Sequence, residues 1–217
     1  DGVFRILFAG RLDEFKDPPL MFRVFARLHA ALGAKFEFHY VGMTDPERYG
    51  EFAAIRDCTI RHGFQKAEGV ARIAARCHAG ILTSWFEGMP CYLLEMLATG
   101  RPFAAIRLPQ YDPLIVAGVS GSLVERGETA DASETALAKA FLVLWADVRA
   151  GRFSPEKIAA LTEPYSVGNQ LSRLFDWHRE IARPAEKRRA GIGLAFPLPG
   201  GTGKVHLDDR FNGDRIS

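Results

Sequence analysis

The chain has 217 residues, of which 47% are hydrophobic and 25% charged, and its formal net charge is +2. That length suits one α/β domain of ordinary size with some chain to spare, and it can bury a real core. The balanced charge gives no global case for nucleic acid or an anionic membrane, no apolar run approaches a membrane span, and no signal-peptide pattern opens the sequence. A strand starts almost at Asp1, so the sequence reads as a fragment of something longer. The cysteines Cys58, Cys77 and Cys91 have no CxxC or metal-ligand spacing, and so odd and sparse a set fits a reducing, cytoplasmic compartment.

In chain order, residues 3–9 (VFRILFA) are β-rich and close on Gly10. Residues 18–32 carry Leu20, Val24, Phe25, Leu28 and Leu32 at helical spacing and stop at Gly33. Residues 35–41 alternate as a strand ending at Gly42, 46–57 read as a weak helix, and 59–63 as a short strand. A helix follows over 70–77, a strand over 80–84, a helix over 91–99 ending at Gly100, and a strand over 102–106. Residues 122–125 form a last short strand, and 135–148, 155–161 and 167–182 form three helices. The phenylalanines, Trp145 and Trp177 fall at element spacing and read as core.

After Ala182 the composition shifts to a basic patch and then a run rich in Gly and Pro. This divides the chain into a domain over 1–182 and a tail or linker over 183–217. Strands alternating with helices predict an α/β, Rossmann-like, mostly parallel sheet with helices on both faces. In such sheets ligands bind beyond the carboxyl ends of the strands. Those ends are Gly10-Arg11, Gly42-Met43, Gly63-Phe64 and Trp85-Phe86-Glu87, so the candidate residues gather on one edge.

The stretch EGMPCYLLE, residues 87–95, sets two carboxylates, Glu87 and Glu95, about a helix start. Pro90 suits the first helical position, and the free N–H groups of that start favour an anion. In the turn GRLDEFKDP, Arg11 and Lys16 suit a diphosphate, Arg by bidentate contact and Lys as a point charge. Alone, beside Asp13, Glu14 and Asp17, those two cations read as solvated surface charges; with Glu87 and Glu95 on the same edge, the diphosphate reading prevails. His62 beside Gly63 reads either as lining a base pocket or as a structural histidine, and Asp112, in the loop after a strand, either as reaching a ligand or as a turn residue. His29, His39, His78 and His178 have no carboxylate or histidine at ligand spacing, so no metal site is expected. No GxGxxG follows the first strand, and the late GGTGKV (residues 200–205) lacks the spacing and preceding strand of a phosphate loop.

These residues together resemble the C-terminal, donor-binding half of a family 4 (group 1) retaining glycosyltransferase of the GT-B fold. The resemblance runs over residues 3–182 and rests on GRLDEFKDP, HYVG, IRHGF and TSWFEGMPCYLLEMLATGRPFAA. It implies transfer of a sugar from a nucleoside-diphosphate sugar to an acceptor hydroxyl, with no cofactor and no metal. Arg11 and Lys16 would neutralise the donor diphosphate and the leaving nucleotide, and Glu87 would sit at the donor sugar. Gly10, His62, Gly63, Phe64 and the backbone of Gly88, Met89, Pro90 and Cys91 would line the donor, and Glu95 would hold the ribose hydroxyls.

The N-terminal acceptor-binding domain of such an enzyme is absent from this sequence. The fragment alone is therefore expected to bind donor weakly and to transfer nothing, and any peripheral association with the inner face of a membrane is assigned to the absent domain. RLPQYDP, residues 107–113, stands where relatives carry Gly-Gly-x-Pro-Glu, so that loop's contacts are not carried over. The rival readings are a non-catalytic nucleotide-sugar-binding or interaction module, and another GT-B enzyme such as a sugar-nucleotide epimerase.

Overall fold

A computed structural model describes residues 2–182; the tail and the GGTGKV stretch lie outside the described residues. Six strands form one sheet: β1 (Phe4–Ala9), β2 (Phe36–Val41), β3 (Thr59–Arg61), β4 (Ala79–Leu82), β5 (Phe103–Ile106) and β6 (Gly121–Val124). Their order is β3-β2-β1-β4-β5-β6, and every pairing is parallel. Around the sheet lie α1 (Pro18–Leu32), α2 (Ala67–Ala74), α3 (Cys91–Ala98), α4 (Ala130–Arg149) and α5 (Pro155–Ala160). The expected Rossmann-like sheet with helices on both faces is the fold observed.

The direction in which successive strands are added reverses between β1 and β4. β1 leads outward through α1 to β2 and β3, and the chain then returns to lay β4 on the other side of β1. At such a switch point the loops after the two central strands diverge and leave a crevice at their carboxyl ends. β1 and β4 are short and fully apolar toward the core, with Phe4, Ile6, Leu7, Ala79 and Ile81 all buried. Burial on both faces is what makes parallel strands read as continuous apolar runs. Aromatic packing fixes α1 on the sheet, where the Phe25 and Phe38 rings lie 4.4 Å apart, and on the 3₁₀ segment Gly50–Cys58, where Phe22 meets Phe52 at 5.4 Å. Trp145 of α4 stacks on Phe4 at 4.7 Å. Gly80 admits no side chain, because a Cβ there would meet the Phe103 ring.

α1 has the expected bounds, with Pro18 and Pro19 in its first turn and Asp17 accepting a hydrogen bond from the Leu20 N–H at 3.3 Å. Other boundaries move. The weak helix over 46–57 is two 3₁₀ turns, Pro46–Arg48 and Gly50–Cys58, divided at Tyr49, which is extended. α2 begins three residues before the expected start, and α4 begins at Ala130, where Thr129 caps the Ala132 N–H at 3.1 Å. Pro90 is the N-cap of α3, with extended backbone (φ −74°, ψ 105°), rather than its first helical residue. Its carbonyl still accepts from the Leu93 N–H at 3.0 Å.

By its internal contacts the chain divides after Ser172. α6 (Val167–Ala182) crosses that division and buries none of its residues. Trp177, expected in the core, is exposed, as are Phe15, Phe64, Phe86 and Phe175. Periodicity marks an apolar face but does not say that something covers it. Among the described residues no helix is long and apolar enough to cross a membrane.

His78 links β1 to the turn before β4. Its Nδ1 accepts from the Arg5 N–H at 3.1 Å, and its own N–H donates to the Arg5 carbonyl at 2.8 Å. Burial, then the cations Arg5 and Arg101, hold its pKa down to about 4. An acceptor Nδ1 cannot carry a proton, so acid takes this contact apart. With the folded pKa below the unfolded value near 6.5, the unfolded state binds the extra proton first, and stability is lost as pH falls below about 6.5. Thermal unfolding is expected to show a loss on the order of 1 kcal/mol between pH 7 and pH 5, and His78→Gln to flatten that limb.

Candidate functional site

Three loop ends are stapled together on the carboxyl edge of the sheet. The Gly10 N–H donates to the Val41 carbonyl at 2.9 Å, and the Gly42 N–H donates to the Gly63 carbonyl at 3.0 Å. A Cβ on Gly42 would strike the Gly10 carbonyl oxygen and the Tyr40 hydroxyl, so only glycine lets these loops approach. The Leu12 N–H donates to Thr44 Oγ1 at 3.2 Å, and the Tyr49 hydroxyl donates to the Leu12 carbonyl at 2.8 Å. The turn after β1 is thereby held over the end of β2.

Across the switch-point crevice, the loop after β4 meets that turn. Thr83 Oγ1 donates to the Lys16 carbonyl at 2.6 Å, and the Trp85 N–H donates to the Phe15 carbonyl at 2.8 Å. On this frame Lys16 Nζ forms an ion pair with Glu87 Oε1. The same oxygen accepts from Ser84 Oγ at 2.7 Å, and Gln110 Nε2 donates to the Glu87 carbonyl at 2.5 Å. Glu87's side chain is 8% exposed and that of Lys16 23%, so each is the other's principal compensation for lost water. Nearby Tyr111 is fully buried, and burial, then the charge of Glu87, pushes its phenol up.

α3 begins immediately after this loop. Cys91 and Tyr92 occupy its first two positions, where N–H groups have no intrahelical partner, so a partial positive charge lies at the helix start directly after the loop that carries Glu87. Tyr92 anchors the helix from below: its hydroxyl donates to the Leu7 carbonyl of β1. Glu95 lies in the second turn, exposed, about 6 Å further along the axis. The site thus offers a cation, a helix start and two carboxylates at different depths. An anion flanked by hydroxyl-bearing groups fits such an arrangement.

Residues 3–147 match the sequence profile of the glycosyl transferases group 1. The chain belongs to that family. No curated protein matches it by sequence. Among solved structures it is similar to the pneumococcal O-GlcNAc transferase GtfA, in complex with UDP and GlcNAc, at a TM-score of 0.73 and 18% identity, covering 84% of this chain and 37% of that one. Anabaena HepE in complex with UDP aligns at a TM-score of 0.66 and 18% identity, covering 82% of this chain and 49% of that one. Sucrose-phosphate synthase from Thermosynechococcus elongatus aligns at 0.63 and 20%, covering 83% and 46%. At these identities the likeness is one of fold, and this chain spans less than half the length of each of the three.

Of the residues singled out by sequence, Lys16 and Glu87 are in contact, and Gly88, Met89, Pro90 and Cys91 follow them into α3. Gly10, Gly63 and Phe64 lie at the loop ends on the same edge. Arg11 does not join Lys16: its side chain is 86% exposed and pairs loosely with Asp13 at 3.7 Å. Asp112 serves its own turn through an ion pair with Arg107.

His39, expected to have no histidine or carboxylate at ligand spacing, has one of each beside it. Its Nδ1 lies 3.0 Å from His62 Nε2, and its Nε2 lies 3.3 Å from Glu37 Oε2, which also accepts from Arg5 at 2.8 Å. Glu37 and His39 are two apart on one strand and so share a face, a spacing visible in the sequence. Burial lowers the pKa of both histidines, and His39 lowers His62 further. Among the described residues no group of three His, Cys, Asp or Glu is placed to hold a metal. Sequence reasoning also passed over Ser84, Gln110 and Arg126, all of which act on the Lys16–Glu87 region.

The coupling between Lys16 and Glu87 is measurable directly. A double-mutant cycle with Lys16→Met and Glu87→Gln is expected to return about 1–2 kcal/mol of interaction in denaturant unfolding. The double variant should destabilise less than the sum of the two single substitutions, because either one alone already removes the pair.

Proposed function

We propose that this chain is the donor-binding domain of a retaining, hexosyl-type glycosyltransferase that moves a sugar from a nucleoside-diphosphate sugar to an acceptor hydroxyl. The observation that carries the reading is the meeting of Lys16 and Glu87 at the β1/β4 switch point, in front of the α3 N-terminus. The donor's diphosphate lies against that helix start and draws Lys16 from Glu87, while Ser84 continues to hold the released carboxylate near the sugar. Glu95, exposed and further along α3, takes the ribose hydroxyls. His62, Gly63 and Phe64 line the base from the end of β3. Arg11, exposed at the rim, swings onto the outer phosphate.

Charge stabilisation of the departing nucleoside diphosphate is the chemical contribution of these residues. The C1–O bond to the diphosphate breaks as the acceptor oxygen bonds to C1 on the same face, and the acceptor's hydroxyl proton passes to the departing diphosphate oxygen. The UDP complexes of the pneumococcal and Anabaena proteins support UDP as the first nucleotide to test. The short span of this chain against those proteins supports a parent enzyme with a separate acceptor-binding domain. We assign residues 1–182 to donor binding and 183–217 to a basic tail, and place the parent in the cytoplasm in polysaccharide or glycolipid assembly. Phe15, Phe86 and Met89, exposed around the crevice, are surfaces for the donor and the second domain to cover.

Calorimetric titration of the chain with UDP, GDP and ADP tests the reading. At least one is expected to bind with a Kd in the micromolar-to-millimolar range, with Lys16→Ala and Glu95→Ala each weakening it about tenfold. Failure of all three at millimolar concentration, or unchanged binding in both variants, contradicts it.

A further inference from the structure

The turn that carries Lys16 and the loop that carries Glu87 reach the crevice from opposite sides, and one side chain from a third loop ties them together. Arg126 follows β6. Its Nη1 donates to Asp17 Oδ2 at 2.8 Å, and its Nη2 donates to the carbonyls of Thr83 at 2.5 Å and Ser84 at 3.2 Å. The guanidinium carbon stands 3.5 Å from the centre of the Trp85 ring. Asp17 adjoins Lys16 in the chain, and Thr83, Ser84 and Trp85 lead directly into Glu87.

Asp17 is also the one non-glycine residue with positive φ among the described residues, at +50°. A β-carbon makes that conformation unfavourable, and it persists where surroundings hold it. An ion pair on its carboxylate supplies the hold, with the Arg126 and Asp17 side chains 20% and 14% exposed. Both terminal nitrogens of Arg126 are occupied by these protein oxygens. It therefore acts on the turns and leaves the anion to Lys16 and α3. Lysine could keep the charge opposite Asp17 but lacks the planar fork and the stacking face.

We propose that Arg126 is the positioning residue of this site: it locks the two turns so that Lys16 and Glu87 are presented together. Its effect on nucleotide affinity rests on the donor-binding reading above; its effect on the setting of Lys16 does not.

Arg126→Lys and Arg126→Gln in the full chain test this, with circular dichroism confirming the fold. The first readout is the rate of acetylation of each lysine by an N-hydroxysuccinimide ester, resolved by mass spectrometry. Lys16, freed from Glu87, is expected to react about three- to tenfold faster than in the wild type. Lys35, Lys66, Lys139 and Lys157, all exposed, should keep their rates, whereas general loosening of the fold would not single out Lys16. The second readout is binding: UDP affinity is expected to fall about tenfold while any affinity for uridine is unchanged.

A wild-type rate of Lys16 acetylation in the folded variants overturns the proposal. If neither variant folds, Asp17→Asn, which keeps the cap oxygen and removes the charge, must raise that rate at least about threefold; a wild-type rate there overturns it equally. If the wild-type chain binds no UDP and yet Lys16 responds, the positioning role stands and the donor-binding reading falls.

Discussion

The ion pair between Lys16 and Glu87 is the interaction around which the functional edge is arranged. A lysine and a glutamate drawn this far out of water are costly singly, and each is tolerable because the other is present. Their meeting requires that the turn after β1 and the loop after β4 be set against one another across the crevice. The Thr83 hydroxyl, the Trp85 amide and the Arg126 guanidinium all bridge those two segments. The parallel sheet brings the segments together only because β4 returns to pair with β1 after β2 and β3 have been laid on its other side.

The pair also bears on ligand entry. On the proposed donor-binding reading, a diphosphate would bring negative charge to a place where a carboxylate already holds the cation, so binding would exchange one partner of Lys16 for another rather than add a contact to an idle group. The net gain is then smaller than a lysine–phosphate contact alone would suggest, and the α3 N-terminus must contribute to the exchange. Ser84, bound to Glu87, would keep a partner for the carboxylate once the lysine had left. On the same reading, such an exchange would bind modestly in this domain alone and would gain strength if water were closed out of the crevice.

What was legible in the sequence was local. Pro18, Pro19 and Gly33 mark the ends of α1 by backbone chemistry, and its expected and observed bounds coincide. The apolar runs of β1, β2, β4 and β5 are those of strands buried on both faces, and their alternation with helices gives the parallel sheet. The group 1 resemblance came from the residues about Lys16 and Glu87, which lie in contact, and the family match bears it out. α4 begins five residues before its expected start because its first turn, Ala130 to Ser133, holds no large apolar residue and only Thr129 as a cap marks it.

Long-range contacts were not legible. Arg126 and Asp17 are 109 positions apart, and nothing in ERGE distinguishes a brace from a surface charge. The pairing of His39 with His62 depends on the order in which β2 and β3 are laid down. Trp177 and Phe86 were misplaced in the core because spacing identifies a face and leaves its covering unstated.

A crystal structure of this chain with UDP bound tests the central claim most directly. The account predicts the diphosphate at the β1/β4 crevice, with Lys16 Nζ within hydrogen-bond distance of a phosphate oxygen, the Cys91 and Tyr92 N–H groups turned toward it, and Glu87 still held by Ser84. A nucleotide seated elsewhere, or seated there with Lys16 still paired to Glu87, would contradict it.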